Sequence, residues 1–195
     1  GFDKGGRAIS RLIFMKKQLW EESYKKEQTP WRSLSVDLSE ALNKAGIFSG
    51  VALDLGSGTG EFSKWLSARG FITEGVDFSE EAIKIAQRIC PQCSFNNWDL
   101  EDLENYPFKY EKYDIILDSK MVAFIENKGK YLDTIKSVLK GIFILQTFLR
   151  HDEKPSIAVN GKELEELIKE RFNFLNKETK SLPGKVSAEY LLAVK

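Results

Sequence analysis

The sequence predicts an α/β fold: a three-layer sandwich in which a mostly parallel sheet lies between two layers of helices. Three observations predict it. Short apolar runs alternate with segments of helical periodicity from Val51 onward, and alternation of that kind builds parallel sheets covered on both faces. The apolar runs are nearly continuous rather than alternating, as strands buried on both faces require. A glycine cluster, Gly56, Gly58 and Gly60, closes the first run and opens the first helix of the series. With 195 residues the chain is sized for one domain with a substantial core.

Each element has a local signal. Leu19–Ala45 reads as helical and interrupted near Pro30, with Val36, Leu38, Leu42 and Ala45 on one face and Gly46 as its stop. Val51–Leu55 is the first strand. Glu61–Arg69 is a helix with Phe62, Trp65 and Leu66 at helical spacing, closed by Gly70. Ile72–Val76 is the second strand. Ser79 caps a helix whose first turn carries Glu80 and Glu81, where acidic groups suit the helix dipole, and Pro91 ends it. Ser94–Trp98 and Tyr113–Leu117 are the third and fourth strands. Lys130–Lys140 is a helix and Gly141–Phe148 the fifth strand. Glu163–Arg171 is a helix, Phe172–Lys177 the sixth strand and Ala188–Lys195 the seventh. Residues 1–18 read as a leader, added or flexible, before one domain over 19–195 whose N-terminal helices (19–45) form a lid. Met15 reads as a possible natural start.

Composition excludes several classes. Lys+Arg and Asp+Glu both number 29, so the basic excess typical of phosphate-backbone binders is missing and nucleic acid is not the expected partner. No apolar run is long enough for a membrane span, and Leu12–Met15 is too short for a signal-peptide core. A soluble, cytoplasmic protein, monomeric or homodimeric, is the expectation.

Ligands of parallel sheets sit beyond the carboxyl ends of the strands. That rule gathers Asp54–Gly60, Asp77–Ser79, Trp98–Leu100, Asp118–Lys120 and Phe148–His151 on one face. Within it, the glycine spacing is Gly-x-Gly-x-Gly. A dinucleotide loop wants its third glycine at 61, where this chain has Glu61, and no Gly-Lys-Ser/Thr follows for a triphosphate. Asp54 before the loop and Glu61 after it disfavour a pyrophosphate, so an adenosine ligand without phosphates fits better. Asp77, 23 residues after Asp54, stands where an acid accepts from both ribose hydroxyls, and in a second reading is a helix-capping acid. Asp99 faces two readings: acceptor for an adenine amino group, or turn initiator. Phe78 and Leu100 flank these acids and suit the adenine faces.

The stretch Val51-Ala52-Leu53-Asp54-Leu55-Gly56-Ser57-Gly58-Thr59-Gly60, then Gly75-Val76-Asp77-Phe78-Ser79, then Trp98-Asp99-Leu100, resembles the class I S-adenosylmethionine-dependent methyltransferases. The resemblance covers roughly residues 50–195. It implies a Rossmann-like, seven-stranded sheet whose last strand is antiparallel, and S-adenosylmethionine as cofactor. It places Asp54, Gly56, Ser57, Gly58 and Gly60 at the methionine part, Asp77 at the ribose, and Asp99 with Leu100 at the adenine. Trp20-Glu21-Glu22-Ser23-Tyr24 followed by Thr29-Pro30-Trp31 resembles the opening of thiopurine methyltransferase-like and tellurite-resistance-type enzymes, which implies Trp31 over the cofactor; otherwise Trp31 is a core aromatic.

The acceptor is less legible. Tyr113-Asp114-Ile115-Ile116-Leu117-Asp118-Ser119-Lys120 lacks the prolines of base- and glutamine-methylating relatives, and Asp118-Ser119 is nearer the small-molecule group. Met121–Phe124 lacks the histidine those relatives often carry. Candidate catalytic groups are His151, the only histidine; Lys120, for an acidic substrate; and Tyr24, as a hydrogen-bonding group. A small-molecule acceptor, with a thiol favoured, is the first reading. A protein side chain is the second, and a non-catalytic S-adenosylmethionine-binding partner protein the third. Cys90 and Cys93 read as neither disulfide framework nor redox pair. They stand at a helix C-terminus, away from the dipole end that activates thiols, and zinc would lack further ligands. No metal is expected.

Overall fold

The computed structural model describes residues 17–26, 38–149, 159–182 and 185–195. Helix α1 covers 17–25 and α2 covers Leu38–Ala45. Five parallel strands with three helices between them follow: β1 (Gly50–Leu55), α3 (Glu61–Ser67), β2 (Phe71–Asp77), α4 (Glu80–Ile89), β3 (Ser94–Asn97), β4 (Tyr113–Ser119), α5 (Lys128–Val138) and β5 (Leu139–Leu149). Then come α6 (Gly161–Arg171), β6 (Phe172–Leu182) and β7 (Lys185–Val194). The seven strands form one sheet in the order β3-β2-β1-β4-β5-β7-β6. β7 runs antiparallel to both its neighbours, as the resemblance implies, and enters the sheet between β5 and β6.

Strand periodicity divides the core. Ile115 and Leu117 face α2 and α3 with Ala52, Ile142, Ile144, Leu38, Leu42 and Leu66. Ile116 between them faces α5 and α6 with Leu53, Phe143, Leu132, Ile135 and Ile168. Each such buried aliphatic side chain contributes about 1.5–3 kcal/mol through removal from water. Ser79 accepts from Ala82 N at 3.1 Å, and Asn127 and Asn160 cap α5 and α6 in the same way. α5 ends at Val138, two residues before the expected Lys140, because buried Leu139 already pairs with Tyr113 in the sheet.

Two features depart from expectation. Cys90 and Cys93 are joined by a disulfide, correcting the reading that leaves them unbridged. The turn Pro91–Gln92 between α4 and β3 brings their Cα atoms to 5.4 Å, within bridging range. The second is Glu74, fully buried in mid-β2. Tyr106 and Tyr113 donate their hydroxyls to its two carboxylate oxygens, and Asn96 donates to Oε1 at 3.1 Å. Burial, reinforced by bonding to Glu74, pushes both phenols well above their ordinary pKa. This network anchors segment 96–113 beneath the sheet. Among the described residues no helix is long and apolar enough to cross a membrane.

Candidate functional site

The loop after β1 is built from left-handed residues. Gly56, Gly58 and Gly60 have φ of 73°, 51° and 80°, conformations that glycine alone adopts without strain. The turn leaves β1 sharply: Gly56 N and Ser57 N both donate to Val76 O, at 2.8 and 3.0 Å. Space is as restrictive as torsion. A Cβ on Gly56 would lie 2.1 Å from Met121 Cγ, and one on Gly60 2.9 Å from both Ala86 Cβ and Phe95 Cζ.

Three buried carboxylates stand around this loop, on the adjacent strands β2, β1 and β4. Asp77 binds the loop itself. Its Oδ2 accepts from Gly58 N at 2.8 Å and its Oδ1 from Ser79 N at 2.9 Å. Burial raises its pKa to about 6; these amide donors oppose the rise and the Glu21 carboxylate adds to it. Asp54 accepts from Ser63 Oγ at 2.7 Å through Oδ2, while its Oδ1 is buried without a hydrogen-bond partner among the described residues. Burial pushes its pKa to about 7, with bonding to Ser63 opposing and the Asp77 charge contributing. Asp118 accepts from Met121 N at 2.6 Å, Val122 N at 2.9 Å and Tyr131 Oη at 3.0 Å. Its pKa is likewise raised to about 7, chiefly by burial, with the Asp54 charge adding to the effect.

Asp118 therefore organises the turn that follows β4. Its hold on two amides shapes a 3-10 turn, Met121–Phe124, and drives Met121 against Gly56. Lys120 pays for this geometry with a left-handed backbone at φ 81°, the one non-glycine residue of that kind among those described. Its amide donates to Gln146 O at 2.7 Å, and its Nζ lies 5.5 Å from the Phe148 ring centroid. Ser119 Oγ donates to Gln146 Oε1 at 3.2 Å on the same side.

Helix α1 lies across the strand ends. Trp20 packs edge-on against Phe124 at 4.3 Å between ring centroids and tilts towards Phe78 at 6.1 Å. Tyr24 is buried, with its hydroxyl 3.1 Å from where a Gly58 Cβ would be. Lys17 pairs with Asp99 at 2.6 Å and stands over the Phe78 ring. Asp99 also accepts from Glu101 N at 3.2 Å, capping the 3-10 turn Leu100–Asn105. Leu100 is packed in the core with Leu103 and Val122.

The structure thus brings Asp54, the glycine loop with Ser57, Asp77, Phe78, Asp118, Tyr24 and Lys120 to one end of the sheet, with Asp99 at its margin. Trp31 and His151 lie outside the described residues. Met121 and Trp20 are additional residues at the loop that sequence reasoning leaves out of the site. Among the described residues no cluster of histidine, cysteine, aspartate or glutamate is arranged to hold a metal.

Comparisons with known proteins agree with this geometry. Residues 49–188 match a family model described as a methyltransferase domain. An uncharacterised protein of Methanocaldococcus jannaschii is 32% identical over 148 residues, which are 67% of each protein. In fold, the chain is similar to a TehB-like S-adenosylmethionine-dependent methyltransferase from Corynebacterium glutamicum, with a TM-score of 0.66 at 15% identity, covering 95% of this chain and 99% of that one. It is also similar to the N-methyltransferase NodS from Bradyrhizobium japonicum in complex with S-adenosylhomocysteine, with a TM-score of 0.66 at 14% identity, covering 89% and 98%.

Proposed function

We propose, from the premise that this chain belongs to the methyltransferase-domain family and is a class I S-adenosylmethionine-dependent methyltransferase, that its acceptor is a small molecule. The observation that carries this reading is α1, whose Trp20 and Tyr24 lie over the glycine loop and the Asp77–Phe78 corner. A small acceptor fits under such a cover, whereas a folded protein would have to displace it.

The residues present fit the cofactor. Asp54 Oδ1, buried and unpartnered among the described residues, suits a cationic group. The open glycine backbone allows close approach. Asp77 retains lone pairs for the ribose hydroxyls, and Phe78 and Asp99 would border the adenine. When bound, the cofactor supplies a methyl group already activated on a sulfonium. The chain's own work is then to orient the acceptor and exclude water, and orientation alone is worth roughly 7–11 kcal/mol. Met121, held by Asp118, and Trp20, packed on Phe124, close the sides of that space. Lys120, Ser119 and Gln146 stand where an acceptor would enter, beside Phe148. A thiol suits this site best, since a thiolate forms near neutral pH without a strong base.

Two measurements test the reading. Asp77→Asn keeps the shape of the side chain and weakens its hold on Gly58. It is expected to bind S-adenosylmethionine at least tenfold more weakly by titration calorimetry, and unchanged affinity would remove Asp77 from the site. Trp20→Ala strips the contact between α1 and Phe124. It is expected to speed cofactor dissociation severalfold in stopped-flow fluorescence, whereas an unaltered rate would mean that α1 is not a cover.

A further inference from the structure

Asp54, Asp77 and Asp118 are three buried carboxyls at the strand ends whose protonation the reaction does not need as such. Their strands are adjacent; Asp118 pairs with Leu55, one register step beyond Asp54, so it projects towards α5, while Asp54 and Asp77 project from the face covered by α3. All three side chains are at most 4% exposed. Among the described residues no lysine or arginine forms an ion pair with any of them; Lys17 spends its charge on Asp99. Among the described residues, the groups that bond or lie close to them are neutral or acidic. Ser63 comes from α3, the Ser79 amide from the start of α4, Tyr131 from α5 and Glu21 from α1. Buried carboxyls with no ion pair among the described residues are held towards their protonated form, because burial penalises the charge.

S-adenosylmethionine carries a sulfonium and an ammonium against one carboxylate, for a net charge of +1. We propose that its binding expels a proton from Asp54, so that a carboxylic acid becomes a carboxylate facing the cation and the proton passes to the solvent buffer. The inference rests on the cofactor reading given above. Asp54 is singled out because its Oδ1 is buried with no donor among the described residues, an arrangement that a neutral carboxyl tolerates and an anion does not. The raised pKa values of all three acids agree in direction.

Linkage then fixes two signs. Without ligand, the folded protein holds protons that the unfolded chain has released between about pH 4 and pH 7, so its stability falls as pH rises through that window. Ligand affinity runs the other way. For one proton leaving a group that titrates near 7, S-adenosylmethionine should bind about tenfold more tightly at pH 8 than at pH 6.

The test is calorimetry of the full chain with S-adenosylmethionine at pH 6.5, in phosphate and in imidazole, whose ionisation heats differ. A binding heat that differs between the buffers and shows proton release, moved to higher pH in Ser63→Ala, which removes the Oγ donor that steadies the Asp54 carboxylate, is the expected result; release unmoved in Ser63→Ala would overturn the assignment to Asp54. Heats equal in both buffers would overturn the inference and leave the site reading intact. Failure of the wild-type chain to bind in either buffer would instead overturn the site reading. S-adenosylhomocysteine keeps the ammonium and lacks the sulfonium charge, and is expected to release fewer protons. Because the readout is heat and not turnover, the acceptor need not be known.

Discussion

Gly56→Ala is expected to lower the Tm by about 5–15 °C and to weaken S-adenosylmethionine binding at least tenfold. The added methyl group meets two costs at once. A residue with a Cβ at φ 73° carries about 1–2 kcal/mol of backbone strain. The same Cβ would lie 2.1 Å from Met121 Cγ, and overpacking of this kind costs about 1–3 kcal/mol. For a chain of this length each kcal/mol corresponds to roughly 2–4 °C. The Met121 backbone cannot retreat, because its amide is held by Asp118 at 2.6 Å, so relief must come from the side chain. The double variant Gly56→Ala/Met121→Ala separates the two costs. It should relieve the overlap and leave the torsional strain. Scanning calorimetry that found Gly56→Ala as stable as the parent would contradict the described turn.

Glu74→Ala is expected to cost about 3–5 kcal/mol, seen as a lower urea midpoint. The substitution leaves the Tyr106 and Tyr113 hydroxyls without their shared acceptor, while the half-buried Asn96 amide keeps its bond to Tyr106 Oη at 2.7 Å; each such buried orphan costs roughly 1–3 kcal/mol. Removing the donors together with the acceptor should be far milder. The triple variant Glu74→Leu/Tyr106→Phe/Tyr113→Phe is expected to recover most of the loss, because unmade hydrogen bonds cost more than absent ones. If Glu74→Ala alone unfolds at the parental urea concentration, the three groups do not share a dry network. The expected damage is to stability across segment 96–113, with cofactor affinity altered only indirectly.

These two residues also mark where sequence reading succeeds and where it stops. Gly56 was legible because its constraint is local: a strand end, a turn that needs positive φ, and a helix start lie within a dozen residues. The strands and helices were legible for the same reason, whereas the division of Ile116 from Ile115 and Leu117 between the two faces came only with the structure. Glu74 looks like any polar residue in an apolar strand. Its partners stand 32 and 39 residues further along the chain, and nothing local announces them. Asp118 was legible as a residue at a strand end, and its grip on Met121 and Val122 was not, because a carboxylate capping a 3-10 turn has the same spelling as one facing a ligand. The Cys90–Cys93 bridge was misjudged because spacing was weighed for reactivity, whereas turn geometry decides whether two sulfurs meet.

The strand order has a consequence for how the chain is made. β5 carries Phe143, Leu145, Ile142 and Ile144, and one of its edges is occupied by β7, which is synthesised only after α6 and β6. Until β7 emerges from the ribosome, β5 is the bare margin of a growing sheet, with unpaired amides and carbonyls along an apolar strand. Such a margin is a template for pairing with other chains. β6 reaches its place only through β7, so it has no partner in the sheet until β7 has paired with β5. The last strand made is thus the one that covers the margin of β5.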